Sequence, residues 1–313
     1  MKDNYGREIY YLRISVTEAC NLQCVYCVPE NGEAAKTSCK TLSVDEIAEI
    51  VRAAAACGVT KVRVTGGEPL LRPDIVEICR QISDTPGISE LCITTNGILL
   101  TKHAAALKAA GVNRLNISLD SLDPETYKKI TRNGTLESAL AGLRAAIDTG
   151  FDALKINAVL LGGVNDKEVR QLLDMTLEHR VNVRFIEFMP IGESADWNKF
   201  ISTETVLDIA PELEDIGVDG VARLYRLPGG LGTVGLISPI SSHFCPTCNK
   251  IRVSSDGKLK PCLHTAEEID LCGLSGGALE TAIRNAVLKK PQQHELTLGE
   301  ISPAQRNMNA IGG

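Results

Sequence analysis

Apolar and polar side chains alternate over Tyr10–Val16, Lys61–Thr65, Leu91–Thr95, Arg114–Ser118, Leu154–Leu160 and Val183–Phe188. That period of two is the signature of strands. Helical stretches, amphipathic or Ala-rich, lie between them. Ser43-Val44-Asp45-Glu46 reads as a capping box opening a helix that runs to about Cys57. Asp123-Pro124 reads as an N-cap followed by proline in the first helical position. Asn165-Asp166 opens a further helix to about His179. Six β-then-α units in succession predict a parallel sheet with crossover helices.

The alternation chooses between a doubly wound sheet and a barrel. A parallel strand covered on both faces is almost continuously apolar. Here one face carries Arg13, Ser15, Arg63, Thr65 and Thr94, and continues through Asn116, Ser118, Lys155 and Asn157. Helices are therefore expected over one face only, with the other lining a wet, ligand-sized lumen, as in a partial barrel. After Pro228-Gly229-Gly230 the pattern changes to short strand-like pieces at Thr233–Ile237, Lys250–Ser254 and Lys258–Pro261, with hairpin chemistry at Ser254-Ser255-Asp256-Gly257. A helix around Ala278–Leu288 and a polar tail, Pro291–Gly313, follow.

The chain has 313 residues and a formal charge of −6. This sign disfavours a nucleic-acid coat or a polybasic membrane binder, but leaves a local cationic pocket open. No stretch offers the roughly 18 apolar residues of a membrane span, and the first residues have no apolar signal core, so a cytoplasmic protein is expected. Eleven cysteines, an odd count, argue against a disulfide framework. Cys39, Cys57, Cys79, Cys92 and Cys272 are scattered and read as small buried hydrophobes. The other six form two tight groups.

Cys20, Cys24 and Cys27 make a C-x₃-C-x₂-C group directly after the first strand. Three thiolates can hold three irons of a four-iron cubane and leave the fourth open to a small chelating molecule. Structural zinc would need a fourth ligand, for which Cys39 is the nearby candidate. Cys245, Cys248 and Cys262 make C-x₂-C-x₁₃-C. Again either an open cubane or, completed by His243 or His264, a zinc site fits this group. Asn249-Lys250-Ile251-Arg252 sets cations beside it, as a bound anion would require.

The first group resembles the signature of radical S-adenosylmethionine (SAM) enzymes, including the aromatic Tyr26 before its last cysteine. Thr65-Gly66-Gly67-Glu68-Pro69 resembles that family's GGEP segment, and Ser118 and Met189 match further SAM contacts. Both groups together resemble the GTP 3′,8-cyclase family of molybdenum-cofactor biosynthesis. That likeness covers nearly the whole chain, from Tyr10–Ser15 through Ser238-Pro239 and Cys262-Leu263 to Gly312-Gly313. It implies an α/β fold with a partial (β/α)₆ barrel over residues 1–227 and a C-terminal iron–sulfur domain over 228–313 capping the opening. It implies two 4Fe–4S clusters on the two cysteine groups and SAM contacts at Tyr26, Gly67, Ser118 and Met189. A GTP pocket is implied from Arg13, Lys61, Arg63, Thr94, Lys155 and Arg184 together with Lys250, Ile251 and Arg252. Arg13, Lys155, Gly312 and Gly313 would act in the chemistry. The family usually has Arg at the position of Lys250, which keeps the charge but loses the planar fork.

The implied reaction is reductive cleavage of SAM to a 5′-deoxyadenosyl radical, removal of the ribose 3′ hydrogen of GTP, and closure onto guanine carbon 8. The product would be 3′,8-cyclo-7,8-dihydro-GTP. An external one-electron donor and a downstream pyranopterin-forming enzyme are the implied partners, and a homodimer is compatible with the chain. Two rivals remain at this level. A peptide-modifying radical SAM enzyme would usually carry more auxiliary cysteines, and only Cys272 lies beyond Cys262. A zinc-bound or electron-transfer protein would need neither open cluster corners nor a polar lumen.

Overall fold

In a computed structural model, which describes residues 1–29, 41–192 and 196–312, the six alternating segments are neighbouring parallel strands. They are β1 (Tyr11–Ser15), β2 (Lys61–Thr65), β3 (Glu90–Thr95), β4 (Arg114–Ser118), β5 (Ala153–Leu160) and β6 (Val181–Glu187). They lie in chain order in one sheet. The crossover helices begin with α1 (Val44–Ala56), whose capping box is complete. Ser43 N donates to Glu46 Oε2 at 2.8 Å, and Glu46 N donates to Ser43 Oγ at 3.2 Å. Such a cap is worth about 1 kcal/mol. Next come α2 (Ile75–Ser83), α3 (Leu100–Ala109) and α4 (Pro124–Thr131), the last capped by Asp123 on Thr126 N at 2.8 Å. Then follow α5 (Leu136–Thr149) and α6 (Val169–Glu178). Between Asn165 and α6 the chain makes a 3₁₀ turn, Asp166–Glu168, so that helix starts a turn later than expected.

Register confirms the parity argument. Leu12, Ile14, Val62, Val64, Ile93 and Ile117 point to the helices and are buried in one continuous core. On the other face Arg13 pairs in register with Arg63, and Asn116 with Lys155.

After α7 (Thr205–Ile209), the remaining strands extend the same sheet at both margins. β9 (Thr233–Ile237) adds in parallel to β6, followed outward by β8 (Ala222–Arg226) and β7 (Glu214–Asp219). β10 (Lys250–Val253) adds in parallel to β1, with Tyr11 opposite Lys250 and Arg13 opposite Arg252. β11 (Lys258–Lys260) and β12 (Ile269–Asp270) complete that side. The β10–β11 hairpin turns at Ser254–Gly257 as its composition predicts. β7 and β8 were not evident in the pattern, because β7 is exposed along its whole length and has no alternation to read. α8 (Gly276–Leu288) packs on α1, and the tail ends in α9 (Met308–Ile311).

Candidate active site

The polar face of the sheet surrounds a cavity of about 410 Å³. All six clustered cysteines line it. Cys20–Cys27 follows β1, at the C-terminal end of the parallel strands, where barrel sites form. Cys245 and Cys248 precede β10, which runs parallel to β1. Cys262 follows β11, which returns antiparallel to β10 with Lys260 opposite Arg252. The two triads therefore sit at opposite ends of one ladder. At about 3.3 Å per residue, the four steps from Tyr11 to Ser15 set roughly 13 Å between those ends.

Three thiolates on one zinc, each about 2.3 Å from the metal, would lie roughly 3.8 Å apart. Among the described residues, the group of His, Cys, Asp or Glu whose ligand atoms all fall within 4.8 Å is His243, Cys245 and His294. Neither cysteine triad is such a group. In each triad at least one pair of thiols is therefore more than 4.8 Å apart, too far for one zinc, and an all-thiol donor set suits iron–sulfur chemistry. Cys39, the candidate fourth ligand, lies outside the described residues. His294, which sequence spacing did not single out, stacks on His243 at 4.3 Å and lies 4.5 Å from His264. His264 faces Ser302 Oγ at 3.1 Å. The other part that sequence reasoning missed is Arg7. It donates to the carbonyls of Cys245, Pro291 and Gln292 at 2.6–2.9 Å, and its guanidinium is held by Asp3. This buckle joins the second cysteine turn to the start of the tail.

Around the first triad, Gly66 and Gly67 have no room for a side chain. A Cβ on Gly67 would come within 2.4 Å of Ala19 O, and one on Gly66 within 2.6 Å of Thr17 O. The close approach lets Gly67 N donate to Thr17 O at 2.7 Å and Glu68 N to Ala19 O at 2.8 Å. Glu68 is fully buried and accepts from Asn96 N, Leu70 N and Thr95 Oγ1 at 2.7–3.0 Å. Burial pushes its carboxyl up to about 7 against those donors. The segment thus ties the cysteine loop to the end of β3. Tyr26 donates to Asp120 Oδ2 at 2.6 Å, while Asp120 Oδ1 accepts from Val159 N at 2.8 Å. Tyr26, Gly67, Ser118 and Met189 all line the cavity.

The cavity also collects cations. Arg13, Lys61, Arg63 and Thr94 line it from β1 to β3, Lys155 and Arg184 from β5 and β6, and Lys250 and Arg252 from β10. Arg63 donates to Tyr11 Oη and, at 3.2 Å, to Thr94 Oγ1. Lys61 pairs with Glu90. Burial lowers Lys155 to about 8, with Arg184 adding to the effect, and lowers Lys250 to about 7. Lys155 and Arg184 both pair with Asp219, a cavity residue that sequence reasoning did not find. Asn116 Oδ1 and Asn157 Oδ1 are buried in the wall with no hydrogen-bond partner among the described residues. Buried carbonyl oxygens of this kind normally have a donor, so they mark a place for a ligand's O–H or N–H groups.

One expected contact does not fall here. Ile251 is 1% exposed and packs in the main core. The same alternation that turns Lys250 and Arg252 inward turns its side chain away. Gly312 lies against Thr65 and Ser15, with φ +82° and no space for a Cβ, which would meet Thr65 Oγ1 at 2.3 Å. Its carbonyl accepts from Arg252 Nη1 at 2.6 Å. Arg306 anchors this tail by forking onto both Asp256 and Glu268 at 2.8–3.1 Å. Gly313 lies outside the described residues.

Residues 14–176 match the radical SAM superfamily, and residues 181–296 match the Molybdenum Cofactor Synthesis C family. The chain is 47% identical over 320 residues to a GTP 3′,8-cyclase of Alkaliphilus metalliredigens (strain QYMF), and 46% identical over 320 residues to one of Alkaliphilus oremlandii (strain OhILAs). Each alignment covers all of both chains. Among solved structures, SuiB of Streptococcus suis superposes with a TM-score of 0.65 at 18% identity. That match covers 91% of this chain and 67% of the other, and it supports the fold alone.

Proposed function

Because this chain belongs to the radical SAM superfamily and, across its whole length, to the GTP 3′,8-cyclase family, we propose that it converts GTP to 3′,8-cyclo-7,8-dihydro-GTP, the first step of molybdenum-cofactor biosynthesis. The observation that carries this reading is one cavity lined by two cysteine triads and by cations from β1, β2, β5, β6 and β10. Cys20, Cys24 and Cys27, and Cys245, Cys248 and Cys262, would each hold a 4Fe–4S cluster; the first would supply the electron for reductive cleavage of SAM and the second a metal site for the guanine edge.

The chain's own residues bind and orient. Gathering this many cations in one buried wall is costly, and a triphosphate supplies negative charge beyond that of Glu90 and Asp219. Arg13, Arg63 and Arg252 offer forked donors to its oxygens, and Lys61, Lys155, Arg184 and Lys250 add point charge or further donors. Thr94, beside Arg63, belongs to the same wall. Asn116 Oδ1 and Asn157 Oδ1 accept from sugar hydroxyls. Gly67 carbonyl, Ser118, Tyr26 and Met189 form the SAM side. Arg13 and Lys155, which both line the cavity, are assigned to the sugar as well as to the phosphates. Gly312, packed on Thr65, fixes Arg252 and closes the wall against water. Residues 1–227 supply the SAM half and 228–313 the guanine half. An external one-electron donor feeds the reaction, and a pyranopterin-forming enzyme consumes the product. Among the described residues no helix is long and apolar enough to cross a membrane, and a cytoplasmic place in the cell fits this chemistry.

The direct test is anaerobic incubation of reconstituted protein with SAM, reductant and GTP. A product isomeric with GTP, equal to it in mass and separated from it by chromatography, is expected together with 5′-deoxyadenosine. 5′-Deoxyadenosine with unaltered GTP would leave only the superfamily. Arg252→Ala tests the anion site. Loss of one charge-assisted contact should weaken GTP binding by about 1.5–3 kcal/mol, roughly ten- to a hundredfold, with little change for SAM. Equal losses for GTP and SAM in anaerobic binding would remove the triphosphate assignment.

A further inference from the structure

Asp219 stands at the end of β7, and its carboxylate bridges two of the cavity's cations. Oδ2 lies 2.7 Å from Lys155 Nζ and 2.5 Å from Arg184 Nη2. The partners differ in how they are held. The Lys155 and Arg184 side chains are 9% and 10% exposed and fixed in the sheet wall, whereas the Asp219 side chain is 47% exposed. Burial raises the Asp219 carboxyl, but Lys155 and Arg184 outweigh it and hold the group well below the usual carboxylate range. The cations thus receive a full negative charge from a segment outside the wall.

That segment is exposed and lightly packed. β7 is the last strand of the sheet, joined in it to β8 and exposed at every position. Its pairing slips between Asp215 and Gly217. Gly217 has φ +105° and Gly220, next to Asp219, has φ +66°. A Cβ at either glycine would meet nothing within 4 Å, so the tip is not packed on its neighbours there. Asp219, Gly220 and Val221 line the cavity.

A carboxylate oxygen taking one donor from Lys and one from Arg occupies the place that a phosphate oxygen would take. A phosphate and a carboxylate cannot share those donors, because like charges in contact repel. We propose that Asp219 is a specificity residue for the anionic end of the substrate: it holds Lys155 and Arg184 until a phosphate group replaces it, and the hairpin tip then swings aside. This rests on the nucleotide reading of the cavity and adds the residue that interrogates the ligand's charge. A nucleoside without phosphates leaves the hairpin in place. A polyphosphate displaces it and binds more weakly than it would to an unblocked pair.

The test measures anaerobic binding of GTP, guanosine and inorganic tripolyphosphate to the reconstituted wild-type protein and to Asp219→Asn, with hydrogen exchange of residues 214–226 followed in each. In the wild type, GTP and tripolyphosphate should speed exchange at the tip, and guanosine should not. Asp219→Asn should show fast exchange without ligand. Its dissociation constants for GTP and tripolyphosphate should fall about three- to tenfold while that for guanosine holds, the effect of removing a partly exposed competing ion pair. Glu214→Gln, a charge change at the far end of β7, should alter none of the three. Weaker or unchanged GTP binding by Asp219→Asn, or tip exchange indifferent to GTP and tripolyphosphate, overturns the displacement but leaves the nucleotide reading standing. Equal wild-type affinity for GTP and guanosine overturns both.

Discussion

Cys24→Ser protein, reconstituted without oxygen, is expected to form no 5′-deoxyadenosine from SAM and to hold about four irons per chain where the wild type holds about eight. The reason is ligand chemistry rather than folding. Serine oxygen is a hard, weakly acidic donor and a poor substitute for thiolate on iron–sulfur clusters. The turn that presents Cys24 is fixed by its backbone: Cys27 N and Val28 N donate to Cys24 O at 2.9 and 3.0 Å. Arg132 adds a bond to Val28 O at 2.9 Å. None of these involves the sulfur, so the thermal midpoint of the cluster-free variant should match that of the cluster-free wild type. Product analysis by mass and iron quantitation decide the matter. Undiminished 5′-deoxyadenosine would sink the assignment of the first triad.

Cys248→Ser should separate the two halves of the chemistry. The first triad lies at the other end of the β1–β10 ladder and keeps its cluster, so slow formation of 5′-deoxyadenosine should persist. Cyclised nucleotide should vanish, because the guanine end has lost its metal. Cys248 opens into β10, whose pairing with β1 holds Lys250 and Arg252 in place, and Lys290, which also faces the thiol, keeps its bonds to Lys250 O at 3.0 Å and Pro261 O at 2.8 Å. The cationic wall should therefore survive, and inorganic tripolyphosphate should still bind. Normal cyclisation by a protein holding only four irons would contradict the second assignment.

What could be read from the sequence follows from which forces are local. Alternation on β1, β2, β4 and β5 is written residue by residue, and it located the polar lumen before any pairing was known. Capping at Ser43 and Asp123 is equally local. Ile251 shows where the family resemblance and the local rule part: the resemblance implied it beside Lys250 and Arg252, and by parity its side chain belongs to the core. Asp219 was invisible because β7, Glu214–Asp219, carries no buried face and takes its place only by pairing with β8. His294 and Arg7 were missed for a different reason. Each reaches its partners across a long stretch of chain, His294 beside His243 and Arg7 on the carbonyl of Cys245, and no spacing rule links such positions.

The parallel register of β1 with β10 makes the sheet a ruler. The first metal-binding loop leaves the end of one strand, the second enters the start of its neighbour, and hydrogen bonds along the shared edge fix their offset. The distance between the two reactive ends is thus set by a count of residues, not by how two domains close on each other. No hinge can shorten it to suit a smaller molecule or lengthen it for a larger one. Size selection is a property of strand length, and adaptation to a longer substrate would require added residues in β1 and β10 together. On the displacement proposed above, opening is left to a part that does not touch this edge, the β7–β8 hairpin at the far margin of the sheet, so gating and measuring are performed by separate pieces of the fold.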